Sequence, residues 1–231
     1  AYDANGNLTK DLNKNIVDIQ YNSLNLPSRI VFKNGDNISH VYSADGSKLR
    51  TVWVADGDTL TTDYCGNVIY ENGVPVRLMT DVGYIALSDT SYHYFIKDHQ
   101  GNVRVVADEH GNAEEVNDYY AFGGLMSTSS RQSVQPYKYN GKELETACGV
   151  NWYDYGARRY DPVLGRWNGV DPLCEDYYSE NPYGYCGNNP VNYVDPNGLM
   201  KVLYNPDGTY KETTHNNWFH NTFMGRQEYI D

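Results

Sequence analysis

Three aspartates, each followed directly by proline, are the side chains of this sequence best suited to chemistry. They are Asp161, Asp171 and Asp195, and all three lie in the segment 153–199. Two carboxylates that a fold brings close together cannot both ionise at low cost, so one of them keeps its proton. The protonated group can then polarise a peptide carbonyl while the ionised group activates water. Asp-Pro also begins type I turns well, so we expect a turn role at all three positions.

The segment 153–199 cannot be helical, because its prolines and glycines are too closely spaced. It also contains two Asn-Pro pairs and many tyrosines. We therefore expect turns and short strands held together by aromatic packing. The whole chain has 23 Tyr against 5 Phe. A tyrosine packs its ring while its hydroxyl still reaches a partner, so this composition favours sheet and turns over helix.

A turn motif recurs along the chain with a period of about twenty residues, roughly one hairpin and its connection. Units begin at Tyr2, Tyr21, Tyr42 and Tyr64, and a related unit covers residues 98–104. Asp-Gly, Asn-Gly and Gly-Asn pairs supply the positive φ that tight hairpin turns need. One hairpin cannot bury its own face, so the copies must stack side by side. The pattern predicts an all-β fold with a long antiparallel sheet that coils.

Alternation of apolar and polar residues locates individual strands. It predicts a hairpin from Val68–Tyr70 and Pro75–Met79 and a three-stranded meander from the segments His93–Lys97, Val103–Asp108 and Ala113–Tyr120. After residue 199 the tyrosine-and-turn pattern is lost. Aromatic spacing over residues 213–229 there predicts a short amphipathic helix.

The net charge and the cysteines argue against several classes of partner and site. The formal net charge of −12 argues against nucleic acid or an anionic membrane as a main partner, and no apolar run is long enough for a membrane span. The four cysteines, at 65, 148, 174 and 186, fit no zinc pattern, so we expect neither a metal nor a cofactor. Isolated thiols are favoured over a Cys174–Cys186 disulfide. The first residues have no initiator methionine and no signal peptide, so we expect a piece of a longer protein.

Six motifs in the second half are far more specific than the repeats. They occupy residues 98–104, 119–123, 139–144, 153–158, 160–167 and 188–199 and read DHQGNVR, YYAFG, YNGKEL, YDYGAR, YDPVLGRW and NNPVNYVDPNGL. In this order they resemble the RHS repeat-associated core domain of RHS/YD-repeat proteins, among them bacterial polymorphic toxins. The resemblance extends over residues 1–199.

The resemblance implies a division of the chain into three parts. Residues 1–92 would be YD repeats in a strip of a hollow β-shell, residues 93–199 the associated core that plugs the shell, and residues 200–231 the start of a variable toxin region. The implied function is encapsulation of that toxin by the C-terminal part of a secreted or cell-surface bacterial shell protein. Implied partners are the chain's own C-terminal toxin segment, an immunity protein and components of a secretion apparatus. Similar shells in animal teneurins and insecticidal toxin complexes leave a second hypothesis open, a cell-surface adhesion or carbohydrate-binding module without catalysis.

In several members of the family the core is an aspartyl autoprotease, which cuts once and in cis after the leucine of a DPxGL motif. Residues 195–199 match this motif, which implies a scissile bond between Leu199 and Met200. The resemblance implies Asp171 and Asp195 as the catalytic pair.

Further residues are implied in supporting roles. Cys174 stands where the family has glycine in the upstream Asp-Pro motif. Asp176 is a reserve candidate for the second carboxylate, and Arg166 is a candidate for the cation that tunes the pair. An independent enzyme is disfavoured, because the sequence offers no compact set of nucleophile, base and oxyanion donors.

Overall fold

The computed structural model describes residues 1–130, 134–176, 178–204 and 210–213. Over these residues the chain is almost entirely β, as predicted, with three antiparallel sheets and four single-turn 3₁₀ helices. Except for Thr213, which ends a strand, the predicted amphipathic helix at 213–229 lies outside the described residues. No helix in the described part is long and apolar enough to cross a membrane.

The first sheet is a continuous meander in which each strand pairs with the next along the chain. Its eleven strands are β1 Ile16–Tyr21, β2 Pro27–Phe32, β3 Asn37–Tyr42, β4 Lys48–Ala55, β5 Asp58–Cys65, β6 Val68–Glu71, β7 Val74–Thr80, β8 Gly83–Ala86, β9 Tyr92–Lys97, β10 Val103–Asp108 and β11 Ala113–Val116. We call this sheet the strip. The predicted boundary between residues 92 and 93 falls within the strip, which continues through β9 without a break.

Two smaller sheets are built from shorter strands. The second sheet contains β12 Glu143–Glu145, β13 Trp152–Asp154, β14 Arg159–Asp161 and β15 Arg166–Trp167, and the third contains β16 Tyr193–Val194, β17 Val202–Tyr204 and β18 Tyr210–Thr213. The 3₁₀ helices are Tyr139–Gly141, Ala147–Gly149, Cys174–Asp176 and Cys186–Asn188. We call residues 134–203 the plug. The third sheet pairs residues on both sides of the Leu199–Met200 bond.

The recurrent turn motif is closed by the same set of hydrogen bonds in three copies. The side chains of Asp3, Asp98 and Asp108 each accept hydrogen bonds from the backbone N–H groups two and four residues further on. The glycine three residues on donates to the aspartate carbonyl and has a φ between 77 and 84°, a conformation that glycine adopts without steric cost. Local sequence alone therefore closes these turns.

The predicted hairpins are present. Strands β6 and β7 pair around a turn at Asn72 and Gly73, and β9, β10 and β11 form the predicted meander. The last strand ends at Val116, earlier than predicted, because residues 119–125 form their own turn, which a bridge between Tyr119 and Leu125 closes.

The plug packs against the beginning of the strip. Buried aliphatic side chains of β1, β2 and β3 form one cluster with Val150 and Trp152 of the plug, and each such side chain contributes about 1.5–3 kcal/mol when fully buried. Two hydrogen bonds to backbone carbonyls extend this junction. Tyr183 Oη donates to the carbonyl of Gly6 (2.9 Å), and the N–H of Leu8 donates to the carbonyl of Asn168 (2.8 Å).

Ionic contacts also join the strip to the plug. Lys48 Nζ of β4 lies 2.7 Å from Glu143 Oε2 and 2.8 Å from Asp154 Oδ2. Tyr64 Oη of β5 donates to the other oxygen of Glu143 (2.6 Å), and Arg159 pairs with Asp154. These side chains are largely buried, so the plug is held by paired charges as well as by apolar contact.

Tyrosines fill the interior of the plug. Its core cluster contains Tyr139, Tyr153, Tyr155, Tyr160, Tyr185 and Trp167, all nearly inaccessible to solvent. Three of the hydroxyls donate to three consecutive backbone carbonyls: Tyr139 to Ala121 (3.1 Å), Tyr160 to Phe122 (2.8 Å) and Tyr153 to Gly123 (3.0 Å). The tyrosine rings therefore form the core while their hydroxyls fix the loop at 121–123, a contact that phenylalanine cannot make.

Candidate active site

The turn at residues 195–199 is organised by one carboxylate oxygen. Asp195 Oδ1 accepts the backbone N–H groups of Asn197 (3.1 Å), Gly198 (2.7 Å) and Leu199 (3.2 Å). Gly198 has a φ of +81°, and a Cβ on it would lie 3.0 Å from the backbone nitrogen of Arg158. Both the backbone conformation and the space therefore require glycine at this position of the motif.

Donors from the plug hold the carbonyls of the same turn. Lys142 Nζ donates to the carbonyl of Pro196 (2.6 Å), and Arg158 Nε donates to that of Gly198 (2.5 Å). The N–H of Ala157 donates to the carbonyl of Asn197 (3.2 Å). Three successive peptide groups before Leu199 are thus fixed in orientation.

Arg158 brings the two predicted aspartates together. Its Nη2 donates to Asp171 Oδ2 (2.8 Å) and lies 3.5 Å from Asp195 Oδ2. The two carboxylate oxygens are therefore at most about 6.3 Å apart, the sum of these distances. The other oxygen of Asp171 accepts the N–H of Leu173 (2.8 Å), so each aspartate uses one oxygen for its own turn and directs the other towards Arg158.

The two carboxyl groups differ in how readily they ionise. Burial raises the pKa of Asp195 to about 6, although Arg158 and the turn N–H groups oppose this rise. Burial also raises the pKa of Asp171, against the effect of Arg158, which donates a direct hydrogen bond to it. Asp195 is the more deeply buried of the two, with 3% of its surface exposed. Near neutral pH, Asp195 is the carboxyl better suited to hold a proton and Asp171 the one better suited to be ionised.

A small cavity lies between these groups. It has a volume of about 30 Å³, and its lining includes Arg158, Asp171, Asp195 and Met200, which gives it room for about one or two water molecules. Met200 follows the predicted scissile bond and is itself buried. Both aspartates and the residue after Leu199 therefore border one cavity.

The supporting residues occupy different places from those expected. Arg166 Nη1 donates to Asn188 Oδ1 (2.8 Å), and Arg158 is the cation that contacts both carboxylates. Asp176 is exposed at the end of a 3₁₀ helix. The arginine doublet 158–159, which begins at the last residue of the YDYGAR motif, was a signal for Arg158, but the contacts of Arg158 with residues 171, 195 and 198 depend on the tertiary fold.

Cys174 and Asp161 belong to the other two Asp-Pro motifs, and the structure shows the local role of each. Cys174 lies outside the positive-φ region, so its backbone does not require the glycine that the family has there. Asp161 has the turn role expected of it, since its Oδ1 accepts the N–H groups of Val163 and Leu164. All four cysteines are free thiols, as the sequence favoured.

Known proteins resemble this chain in sequence and fold, although no family model matches it. Salivary gland surface protein 1 of Aedes aegypti is 29% identical over 228 residues, 87% of this chain and 7% of the relative. The tRNA3(Ser)-specific nuclease WapA of Bacillus spizizenii is 26% identical over 220 residues, 86% of this chain and 9% of the relative. Toxin subunit YenC1 of Yersinia entomophaga is 36% identical over 116 residues, 48% of this chain and 12% of the relative.

A solved structure shares the fold. The Photorhabdus luminescens Tc holotoxin pore with a substituted TccC3 has a TM-score of 0.72 and 20% identity, and the match covers 91% of this chain and 11% of that one. The chain spans only about a tenth of the length of these relatives. Its ordered core motifs, its antiparallel meander and its toxin relatives lead to one conclusion: the chain is a homologue of RHS-repeat toxins.

Proposed function

We propose that the chain is part of an exported RHS-repeat toxin shell, and that its core cuts the chain once, in cis, between Leu199 and Met200. The observation that carries the proposal is the pair of carboxyl groups joined at Arg158. Asp195 Oδ2 and Asp171 Oδ2 contact the same guanidinium nitrogen, beside a turn whose peptide groups are already fixed up to Gly198.

The contacts support a different role for each carboxyl group. Asp195 Oδ1 is occupied by three N–H groups, so the proton of Asp195 resides on Oδ2. Asp171, which accepts a charged hydrogen bond from Arg158, is the ionised member and removes a proton from water. The resulting hydroxide attacks the Leu199 carbonyl carbon while Asp195 protonates the carbonyl oxygen. Collapse of the tetrahedral intermediate breaks the C–N bond. Asp171 passes the proton that it took from water to the Met200 amine, and Asp195 recovers its own proton from the hydroxyl of the intermediate.

A large cavity between the strip and the plug supports the enclosing role. Its volume is about 1250 Å³, and apolar side chains from both sides line it, including Trp53 and Ile69 of the strip and Phe122 and Leu144 near the plug. Interior surface of this kind suits contact with another polypeptide segment. The enclosed partner in this proposal is the chain's own C-terminal toxin region, which begins at residue 200.

Intact mass under denaturing conditions tests the cleavage. Purified chain incubated at mildly acidic pH should yield a product that ends at Leu199, and Asp195→Asn and Asp171→Asn should keep the chain full length. Asp176→Asn is the matched control, an exposed aspartate five residues from Asp171, and should cleave like the wild type. A wild-type chain that stays full length on prolonged incubation from acidic to mildly alkaline pH would contradict the proposal.

The rate of cleavage should depend on pH in a defined direction. The mechanism needs Asp195 protonated and Asp171 ionised. Because the pKa of Asp195 is about 6, its protonated fraction falls tenfold for each pH unit above that value. The rate should therefore decrease as pH rises through about 6, as followed by the fraction of full-length chain with time. A rate that increases steadily towards alkaline pH would reverse the roles assigned here.

A second function is favoured by different features. The Aedes aegypti relative is named a surface protein, and β9 exposes Tyr92 and Tyr94, 48% and 43% accessible, on the same face of the strand. Exposed aromatic rings can stack on sugars, as in an adhesion module. Binding to a glycan array that disappears in Tyr92→Ala and Tyr94→Ala variants would support this function. Absence of binding by the wild-type chain would exclude it for the glycans tested.

A further inference from the structure

A cluster of polar side chains is buried where the strip meets the plug, away from the two aspartates. Glu115 of β11, Asn117, Gln135 and Lys138 each have 2% or less of their surface exposed. A single oxygen, Glu115 Oε1, accepts from Lys138 Nζ, from Asn117 Nδ2 (2.5 Å) and from Gln135 Nε2 (3.1 Å). An amine and two carboxamides are therefore gathered around one carboxyl group.

Two atoms of this cluster are left without partners. Among the described residues, Asn117 Oδ1 and Glu115 Oε2 are buried and make no hydrogen bond. Gln135 differs, because its Oε1 accepts the N–H of Tyr137 (2.5 Å) and its Nε2 also donates to the Tyr137 carbonyl (2.6 Å). An unpaired buried polar atom loses its hydrogen bonds to water without gaining others, which is destabilising. The Asn117 carboxamide is thus the one with a free carbonyl oxygen.

The geometry points to a covalent site: Lys138 Nζ and the Asn117 side chain form an intramolecular isopeptide bond, with Glu115 as the proton-transfer group. Both nitrogens contact the same Glu115 oxygen, so the nucleophile and the carboxamide that it attacks lie next to each other. The bond would join the end of the strip to the beginning of the plug and close a loop over residues 117–138.

The reaction balances without a further reactant. The Lys138 ammonium passes a proton to the Glu115 carboxylate, which makes the amine nucleophilic. The amine attacks Asn117 Cγ while the protonated Glu115 polarises the carboxamide. The attacking nitrogen loses one proton to Glu115 as Glu115 gives its own proton to Nδ2, the C–N bond to Nδ2 breaks, and one molecule of ammonia departs. Burial supports the first step, because it lowers the pKa of Lys138 despite the neighbouring Glu115.

Intact mass of the purified chain decides the proposal. We expect a mass lower than that calculated from the sequence by one ammonia, and a tryptic peptide pair joined through Lys138 and Asn117. Asn117→Ala and Lys138→Arg should each restore the full mass, and Lys138→Arg keeps the positive charge beside Glu115. Glu115→Gln should slow or prevent the loss. Gln135→Met is the control that retains the loss, since Gln135 supplies no reacting atom.

One side reaction needs a separate control. Asn-Gly sequences such as Asn72-Gly73 can also lose ammonia by forming a succinimide, but hydroxylamine opens a succinimide and leaves an isopeptide bond intact. A wild-type chain with the full calculated mass after prolonged incubation would overturn the proposal and leave an ordinary buried ion pair. The cross-link lies within residues 1–199, so its detection is independent of cleavage at Leu199.

Discussion

Gly198 and Gly73 have nearly the same backbone conformation but very different surroundings. Their φ angles are +81° and +80°. A Cβ on Gly198 would lie 3.0 Å from the Arg158 backbone nitrogen, whereas a Cβ on Gly73 would meet nothing within 4 Å. The pair therefore separates the cost of the left-handed backbone from the cost of close packing in the 195–199 turn.

Alanine substitution at the two positions should differ in effect. Gly73→Ala should destabilise by about 1–2 kcal/mol, the cost of the left-handed conformation alone. Gly198→Ala should cost about 1–3 kcal/mol more, because the added methyl group also overpacks the turn. Urea unfolding in an Asp171→Asn background, which keeps the chain intact, measures both. Equal losses would mean that the turn relaxes freely around the methyl group.

The resemblance pointed to the aspartates of the proposed site but not to its cation. It implied Asp171 and Asp195 through their Asp-Pro motifs, and each aspartate forms its turn with residues only two to four positions away. Arg158 could not be chosen over Arg166 in this way. Its acceptors lie 13 to 40 residues further along the chain, and contacts of that kind depend on how the plug folds.

At the scale of elements, the loop at 121–123 is held by hydroxyl groups of the plug core. Tyr139, Tyr153 and Tyr160 each donate to one of its carbonyls. The rings supply the apolar packing that phenylalanine would also supply, so at these three positions the hydroxyls account for tyrosine instead of phenylalanine. Strands of the strip were predictable from local turns. Strands β12 to β16, with only two or three residues each, were not, because neighbouring elements hold them in place.

Tyr160→Phe should destabilise the chain by about 1–2 kcal/mol, since the substitution leaves the Phe122 carbonyl without its donor in a partly buried position. Tyr92→Phe is the control, because Tyr92 is 48% exposed on β9 and should show almost no change. Thermal or urea unfolding compares the two variants. An equal effect of both would show that the loop carbonyl finds another partner.

At the scale of the whole molecule, Lys48 is the main ionic link between the strip and the plug. Its ammonium group contacts Glu143 of β12 and Asp154 of β13, and its side chain is 10% exposed. Removing one member of a buried ionic group leaves its partners desolvated and unpaired. The junction should therefore be more sensitive to this residue than to any exposed ion pair of the strip.

Lys48→Met should lower the free energy of unfolding by about 3–5 kcal/mol. Arg50→Met, two residues away on β4, is the matched control. Arg50 pairs with Asp63 while half exposed, and the loss of such a surface pair is close to neutral. Urea unfolding followed by tryptophan fluorescence measures both variants. A Lys48→Met chain as stable as the control would mean that Arg159 alone satisfies the two carboxylates.

The contacts of Gly6 and Leu8 with the plug set the order in which the molecule can be completed. Tyr183 reaches Gly6 across 177 positions of sequence, one of the longest loops that folding of this chain has to close. The hairpins of the strip involve near neighbours and can form as each leaves the ribosome, whereas the junction must wait until Tyr183 has been synthesised. Closure is therefore the late and slow step of folding. Until then, the apolar faces of β1 to β3 remain open to chaperones and to other chains.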